Sequence, residues 1–141
     1  MKSNLLKIGL VSAMLSLTAW RATALEGAVV IANDSVPVTS LSADALKDIY
    51  TAKTTYWDGG QAVVIVVVAD KTDAALKEAS GMDASQFKTF WQRLAFSGRG
   101  KQPQKVDDTA ALVAAVASTK GAIAIAPADA DLKGVKKIEV K

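Results

Sequence analysis

Apolar residues along this chain alternate between unbroken runs and helically spaced stripes. Ala28–Ala32, closed by Asn33-Asp34-Ser35, and the valine-rich Ala62–Val68 are unbroken, which suits strands buried on both faces. Between them Leu41, Ala45, Leu46 and Ile49 recur at helical spacing after Ser42, a capping residue whose flanks Leu41 and Leu46 can close a hydrophobic staple. The pattern predicts a strand, helix, strand crossover, right-handed and with parallel strands.

A second helix is expected from near Thr72 to Ser80-Gly81, where glycine can adopt the left-handed terminating conformation. Asp83, with Gln86 three residues on and a Met82/Phe87 staple, starts a third that carries Phe87, Phe90, Trp91 and Leu94 on one face and stops at Ser97-Gly98. Gly100–Gln104 reads as a loop. Asp107 or Asp108 then caps an alanine-rich helix that turns Leu112, Val113 and Val116 inward until Gly121. Ile123 and Ile125 alternate with alanine in a strand stopped by Pro127. Val135, Ile138 and Val140 suggest a last strand, with Lys136, Lys137 and Lys141 pointing outward to protect an edge. The sum is one α/β domain with a mixed, mostly parallel sheet flanked by helices.

Residues 1–24 read differently. Lys2 and Lys7 precede an apolar run from Ile8 to Trp20, and Ala22-Thr23-Ala24 offers a small-residue cleavage site, so a signal peptide cut after Ala24 is expected, leaving the domain at 25–141. The apolar run is shorter than the roughly 20 residues a spanning helix needs, so no membrane span is expected after cleavage. That segment holds three of the 17 basic residues and none of the 14 acidic ones, which leaves residues 25–141 with 14 of each sign. A formally neutral domain lacks the cationic excess that nucleic-acid binding requires.

Cysteine and histidine are both absent. Disulfides, thiolate metal sites, cysteine nucleophiles and histidine general bases are thereby excluded. Neither G-x-S-x-G, S-x-x-K, a Walker loop nor G-x-G-x-x-G occurs. No catalytic residue, metal or cofactor is expected, and the chain reads as non-enzymatic.

Three segments carry a resemblance. Leu41–Gln61 (LSADALKDIYTAKTTYWDGGQ) contains a helix ending in Asp48-Ile49-Tyr50, a loop around Lys53 and Trp57-Asp58-Gly59; Phe87–Gly100 (FKTFWQRLAFSGRG) and Lys120–Pro127 (KGAIAIAP) follow. The first resembles the "IF-x-G-K … W-x-D-G" segment of the phosphate-type substrate-binding proteins of bacterial ABC transporters, and Gly121-Ala122-Ile123 resembles their "GAIGY". The resemblance implies a single periplasmic-binding-protein-like lobe, a periplasmic location, phosphate or another small oxyanion as ligand, and an ABC permease or another envelope protein as partner.

The same family grips phosphate with an arginine followed by Ser-Gly-Thr where a central strand meets the next helix. Here the junction reads Val68-Ala69-Asp70-Lys71-Thr72-Asp73. Thr72 keeps a hydroxyl there, as ligand contact or as helix cap, and Lys71 offers a mobile charge against the acidic Asp70 and Asp73. Ser97-Gly98-Arg99 is the alternative anion site, since glycine lets successive amides converge and Arg99 supplies a bidentate donor; it is equally a helix stop. Tyr56 and Trp57 either pack a turn onto the sheet or present a partner surface. With the Phe96–Lys101 turn, they define the alternative function, a degenerate lobe serving as a periplasmic interaction module.

Overall fold

The computed structural model describes residue 25, residues 27–68 and residues 72–141. The signal-peptide reading of residues 1–24 lies outside them, as do Asp70 and Lys71.

Among the described residues the strands are β1 (Ala28–Ala32), β2 (Ser40–Leu41), β3 (Val64–Val68), β4 (Gln104–Val106), β5 (Ala122–Pro127) and β6 (Lys136–Val140). They form one sheet in the spatial order β2-β6-β1-β5-β3-β4. The helices are α1 (Ala43–Tyr50), α2 (Asp73–Ser80), α3 (Ala84–Phe96) and α4 (Thr109–Ser118). None is long and apolar enough to cross a membrane.

Side chains alternate between faces along each strand, so the apolar runs feed two cores at once. On one face Val30, Ile65, Ile123, Ile125 and Ile138 meet Leu46, Ile49, Leu76, Phe87 and Trp91 from α1, α2 and α3. On the other, Ile31, Val66, Val68 and the small Ala122, Ala124 and Ala126 receive Leu112, Val113 and Val116 of α4. Each fully buried large aliphatic side chain contributes roughly 1.5–3 kcal/mol, against about 1 kcal/mol for a helix cap. Packing therefore holds the fold, and the caps define where its helices start.

Those caps follow the sequence at three of four sites. Ser42 Oγ accepts from Ala45 N at 3.0 Å, and Asp108 Oδ1 from Ala111 N at 2.7 Å. Asp83 and Gln86 form a reciprocal box, Asp83 Oδ1 accepting from Gln86 N at 2.8 Å and Gln86 Oε1 from Asp83 N at 3.1 Å. Thr72 is the exception: it occupies the cap position of α2 with φ −127° and ψ 22°, and its side chain makes no cap hydrogen bond.

The sheet is mixed and mostly parallel: β3 pairs in parallel with β4 and β5, and β2 with β6, whereas β1 is antiparallel to both its neighbours, β5 and β6. The parallel crossover predicted between the first two apolar runs is not formed, because β5 lies between β1 and β3 and β1 runs against β3. An unbroken apolar run reports burial on both faces and carries no information on direction. The last strand is likewise not an edge. β6 lies between β1 and the two-residue β2, although its alternation holds, with Ile138 and Val140 buried and Lys137 exposed. Lys136 Nζ donates to the Val36 carbonyl. The true outer strand on the other side is β4, which starts within the predicted loop at Gln104; its polar Gln104-Lys105 gave no strand signal, yet suits an exposed edge.

Candidate functional site

The carboxyl end of β3 opens on a cavity of about 450 Å³. In open α/β sheets, ligands bind in the crevice beyond the carboxyl ends of the strands. One wall is a single face of α3, where Ala84, Phe87, Lys88, Trp91 and Gln92 follow helical spacing; the opposite wall is Val67 and Lys105, register partners on adjacent strands, with Gln102 and Pro103. Asp73 and Leu76 of α2 close one end. The buried and half-buried lining is apolar (Val67, Val68, Leu76, Phe87, Trp91, Pro103), and the exposed lining is polar apart from Ala84 (Asp73, Ser85, Lys88, Gln92, Gln102, Lys105).

The aromatic wall is anchored. Trp91 Nε1 donates to the Tyr50 carbonyl at 3.2 Å, and the Trp91 ring lies 6.1 Å from Phe87 and 5.9 Å, edge-on, from Phe90. These contacts hold the indole in one orientation. Asp73 sits in the first turn of α2, at the positive end of the helix dipole. Among the described residues, no group of three or more His, Cys, Asp or Glu side chains could hold a metal ion.

The residues singled out from the sequence are dispersed. Thr72 is half-buried at the start of α2, and its carbonyl accepts from Leu76 N at 2.8 Å. Ser97, Gly98 and Arg99 lie elsewhere, at the C-terminus of α3. Gly98 N donates to the Ala95 carbonyl at 3.1 Å and Arg99 N to the Leu94 carbonyl at 2.9 Å, a Schellman closure. The amides expected to converge on an anion close the helix instead. Arg99 lines, with Arg93, Phe90, Leu94 and Ser97, a separate open groove of about 620 Å³ on the outer face of α3.

Trp57 leaves the candidate partner surface altogether. It is 5% exposed and its indole Nε1 donates to the Gly121 carbonyl at 2.9 Å, while Tyr56 beside it is 64% exposed. Lys88, Gln92, Gln102 and Lys105 were not foreseen as a group. Lys88 and Gln92 each follow a core aromatic, Phe87 and Trp91, which marked the helix face; the pairing of Lys105 with Val67 left no trace in the sequence.

The fold is a mixed sheet with helices packed on both faces and a cavity at its strand ends. The chain belongs to the PBP superfamily, whose domain matches residues 19–139. A Clostridium perfringens structure with bound phosphate, assigned as a phosphate ABC transporter substrate-binding protein, is 26% identical with a TM-score of 0.61, over 81% of this chain and 44% of that one. An ABC-type phosphate transport receptor from Vibrio cholerae (19% identity, TM-score 0.55, 81% and 46% coverage) and PstS from Borrelia burgdorferi (11%, 0.54, 82% and 47%) share the fold. The chain thus spans under half the length of these solved relatives. No curated protein matches it.

Proposed function

We propose that this chain is exported through a signal peptide at residues 1–24 and serves, without catalysis, as a periplasmic solute-binding lobe of the phosphate-receptor type, taking a small oxyanion weakly. The observation that carries this reading is the 26% identity, over 81% of the chain, to a binding protein that holds phosphate. The absence of histidine and cysteine supports a binding role over a catalytic one.

Weak capture follows from the residues at the junction. At the junction only Thr72 keeps a hydroxyl of the resembled family's motif, without its arginine or glycine, and Asp73 puts a carboxylate where the helix dipole would otherwise attract a dianion. One lobe also presents one wall, so an anion on it stays half hydrated until a second lobe or subunit covers it. Lys71 and Thr72 remain the proposed contacts at the junction. At the α3 terminus, Ser97, Gly98 and Arg99 form the second candidate, with the guanidinium as its donor.

The test is isothermal titration, with phosphate and sulfate, of protein expressed for export and recovered from the periplasm, beside Thr72→Ala and Arg99→Ala variants. Dissociation constants in the millimolar range are expected, weakened by whichever variant removes a true contact; no heat at millimolar ligand defeats the oxyanion reading. N-terminal sequencing of the same material should begin at Leu25.

One observation favours the second reading, a protein-interaction module: Phe96 is 98% exposed and Tyr56 64%. An ABC permease or another envelope protein would then be the partner. Capture from an envelope extract that is lost in Phe96→Ser, together with silent titrations, would rank this reading first.

A further inference from the structure

We infer that the cavity between α3 and the β3–β4 edge takes an organic anion with an apolar body, its charged group held between Lys88 and Lys105, rather than bare inorganic phosphate. The inference rests on the solute-binding reading and specifies the ligand class of that lobe.

The first argument is size and lining. A cavity of about 450 Å³ falls in the range of roughly 300–1,000 Å³ typical of small-molecule sites, which are mostly apolar with a few polar groups that orient the ligand. Inorganic phosphate has no apolar surface to set against Phe87 and Trp91. Placed there it would lose water along a wall that returns no hydrogen bond, a cost a hydrocarbon or aromatic body does not meet.

Charge placement is the second argument. Lys88 comes from the α3 wall and Lys105 from the strand wall, so each wall contributes one cationic residue to the lining. Gln92, one turn after Lys88, and Gln102 add amide donors to the same lining. Among the described residues neither lysine is in an ion pair; the pair that does form is the remote Lys133–Asp131. Asp73 is the acid of the lining, at the α2 end. It repels negative charge there and orients the ligand, with the anionic group toward Lys88 and Lys105 and the apolar body toward Leu76, Phe87 and Trp91.

The test uses phenyl phosphate, benzoate, inorganic phosphate and phenol as probes against the full exported chain, read by calorimetry and by tryptophan fluorescence, since Trp91 lines the cavity. Phenyl phosphate is expected to bind at least about tenfold more tightly than inorganic phosphate, equivalent to about 1.4 kcal/mol, with benzoate also bound and phenol silent. Lys88→Gln and Lys105→Gln should each weaken phenyl phosphate about threefold or more, with circular dichroism unchanged because both side chains are exposed, and Lys133→Gln, at an exposed lysine outside the cavity lining, should leave it unaltered. If inorganic phosphate binds as tightly as phenyl phosphate, or both lysine variants bind like the parent, this inference fails and the solute-binding reading stands. If no anion binds, both fall and the cavity is an uncovered sheet edge.

Discussion

The Trp57 indole N–H donates to the carbonyl oxygen of Gly121 at 2.9 Å, joining two segments far apart in the chain. Gly121 is a crossing point: its carbonyl also accepts from Val64 N at 3.1 Å, and its own amide donates to Ser35 Oγ at 3.1 Å. Both residues belong to the stretches that carry the family resemblance, and the contact supplies a physical reason for them to go together. A tryptophan in the turn before β3 fastens that turn to the start of β5.

Gly121→Ala should be the most damaging single substitution in this region. Gly121 has φ +77°, and a Cβ there would lie 2.2 Å from the Ala62 carbonyl oxygen, a backbone atom that cannot swing aside. A loss of about 3 kcal/mol or more, or failure to fold, is expected in urea denaturation. Trp57→Phe removes one donor while Val64 still satisfies the carbonyl, so about 1–2 kcal/mol should be lost.

Ala52 has φ +61°, in the left-handed region that costs a side-chain-bearing residue about 1 kcal/mol. Counted from Ile49, it stands at the glycine of the I-F-x-G-K pattern. Ala52→Gly should therefore raise stability by about 0.5–1 kcal/mol despite the entropy glycine adds to the unfolded chain, which thermal melting would register as a higher Tm.

Tyr50 is fully buried, and its hydroxyl has no hydrogen-bond partner among the described residues. The resembled pattern has phenylalanine there. Tyr50→Phe should be neutral or stabilising by up to about 1 kcal/mol, since it removes a buried polar atom that gains nothing on folding. A measurable loss of stability in denaturation would mean the hydroxyl has found a partner.

The same residue predicts an alkaline effect. Burial pushes the Tyr50 pKa up from its ordinary value of 10.0, so the hydroxyl stays neutral in both states below that pH and contributes no pH dependence. Above it the unfolded chain ionises first. Stability then falls as pH rises, by up to about 1.4 kcal/mol per unit, and Tyr50→Phe should show a shallower alkaline decline in paired urea titrations.

The caps provide an internal comparison. Asp83→Ala and Asp108→Ala each remove a side-chain acceptor from a helix start and should cost about 1 kcal/mol, whereas Thr72→Ala, with no cap bond to lose, should cost under about 0.5 kcal/mol. A Thr72→Ala protein of unchanged stability is then a clean reagent for the titrations above.

From its sequence alone this chain determines its helix starts at Ser42, at Asp83 and at Asp107 or Asp108, the strands at Ala28–Ala32 and within Ala62–Val68, the Phe87–Trp91 core stripe and the α/β class. These signals act within a few residues, through capping hydrogen bonds and side-chain periodicity, so neighbours suffice to read them. Tertiary structure decided the rest: that β1 runs against β3, that β6 lies inside the sheet, that Trp57 is buried, that the Gly98 and Arg99 amides close α3, and that Lys88 and Lys105 line one cavity. Strand order and cavities arise from backbone edges and faces that meet only when distant segments pack. A polar pair such as Gln104-Lys105 acquires its meaning from Val66 and Val67 beside it.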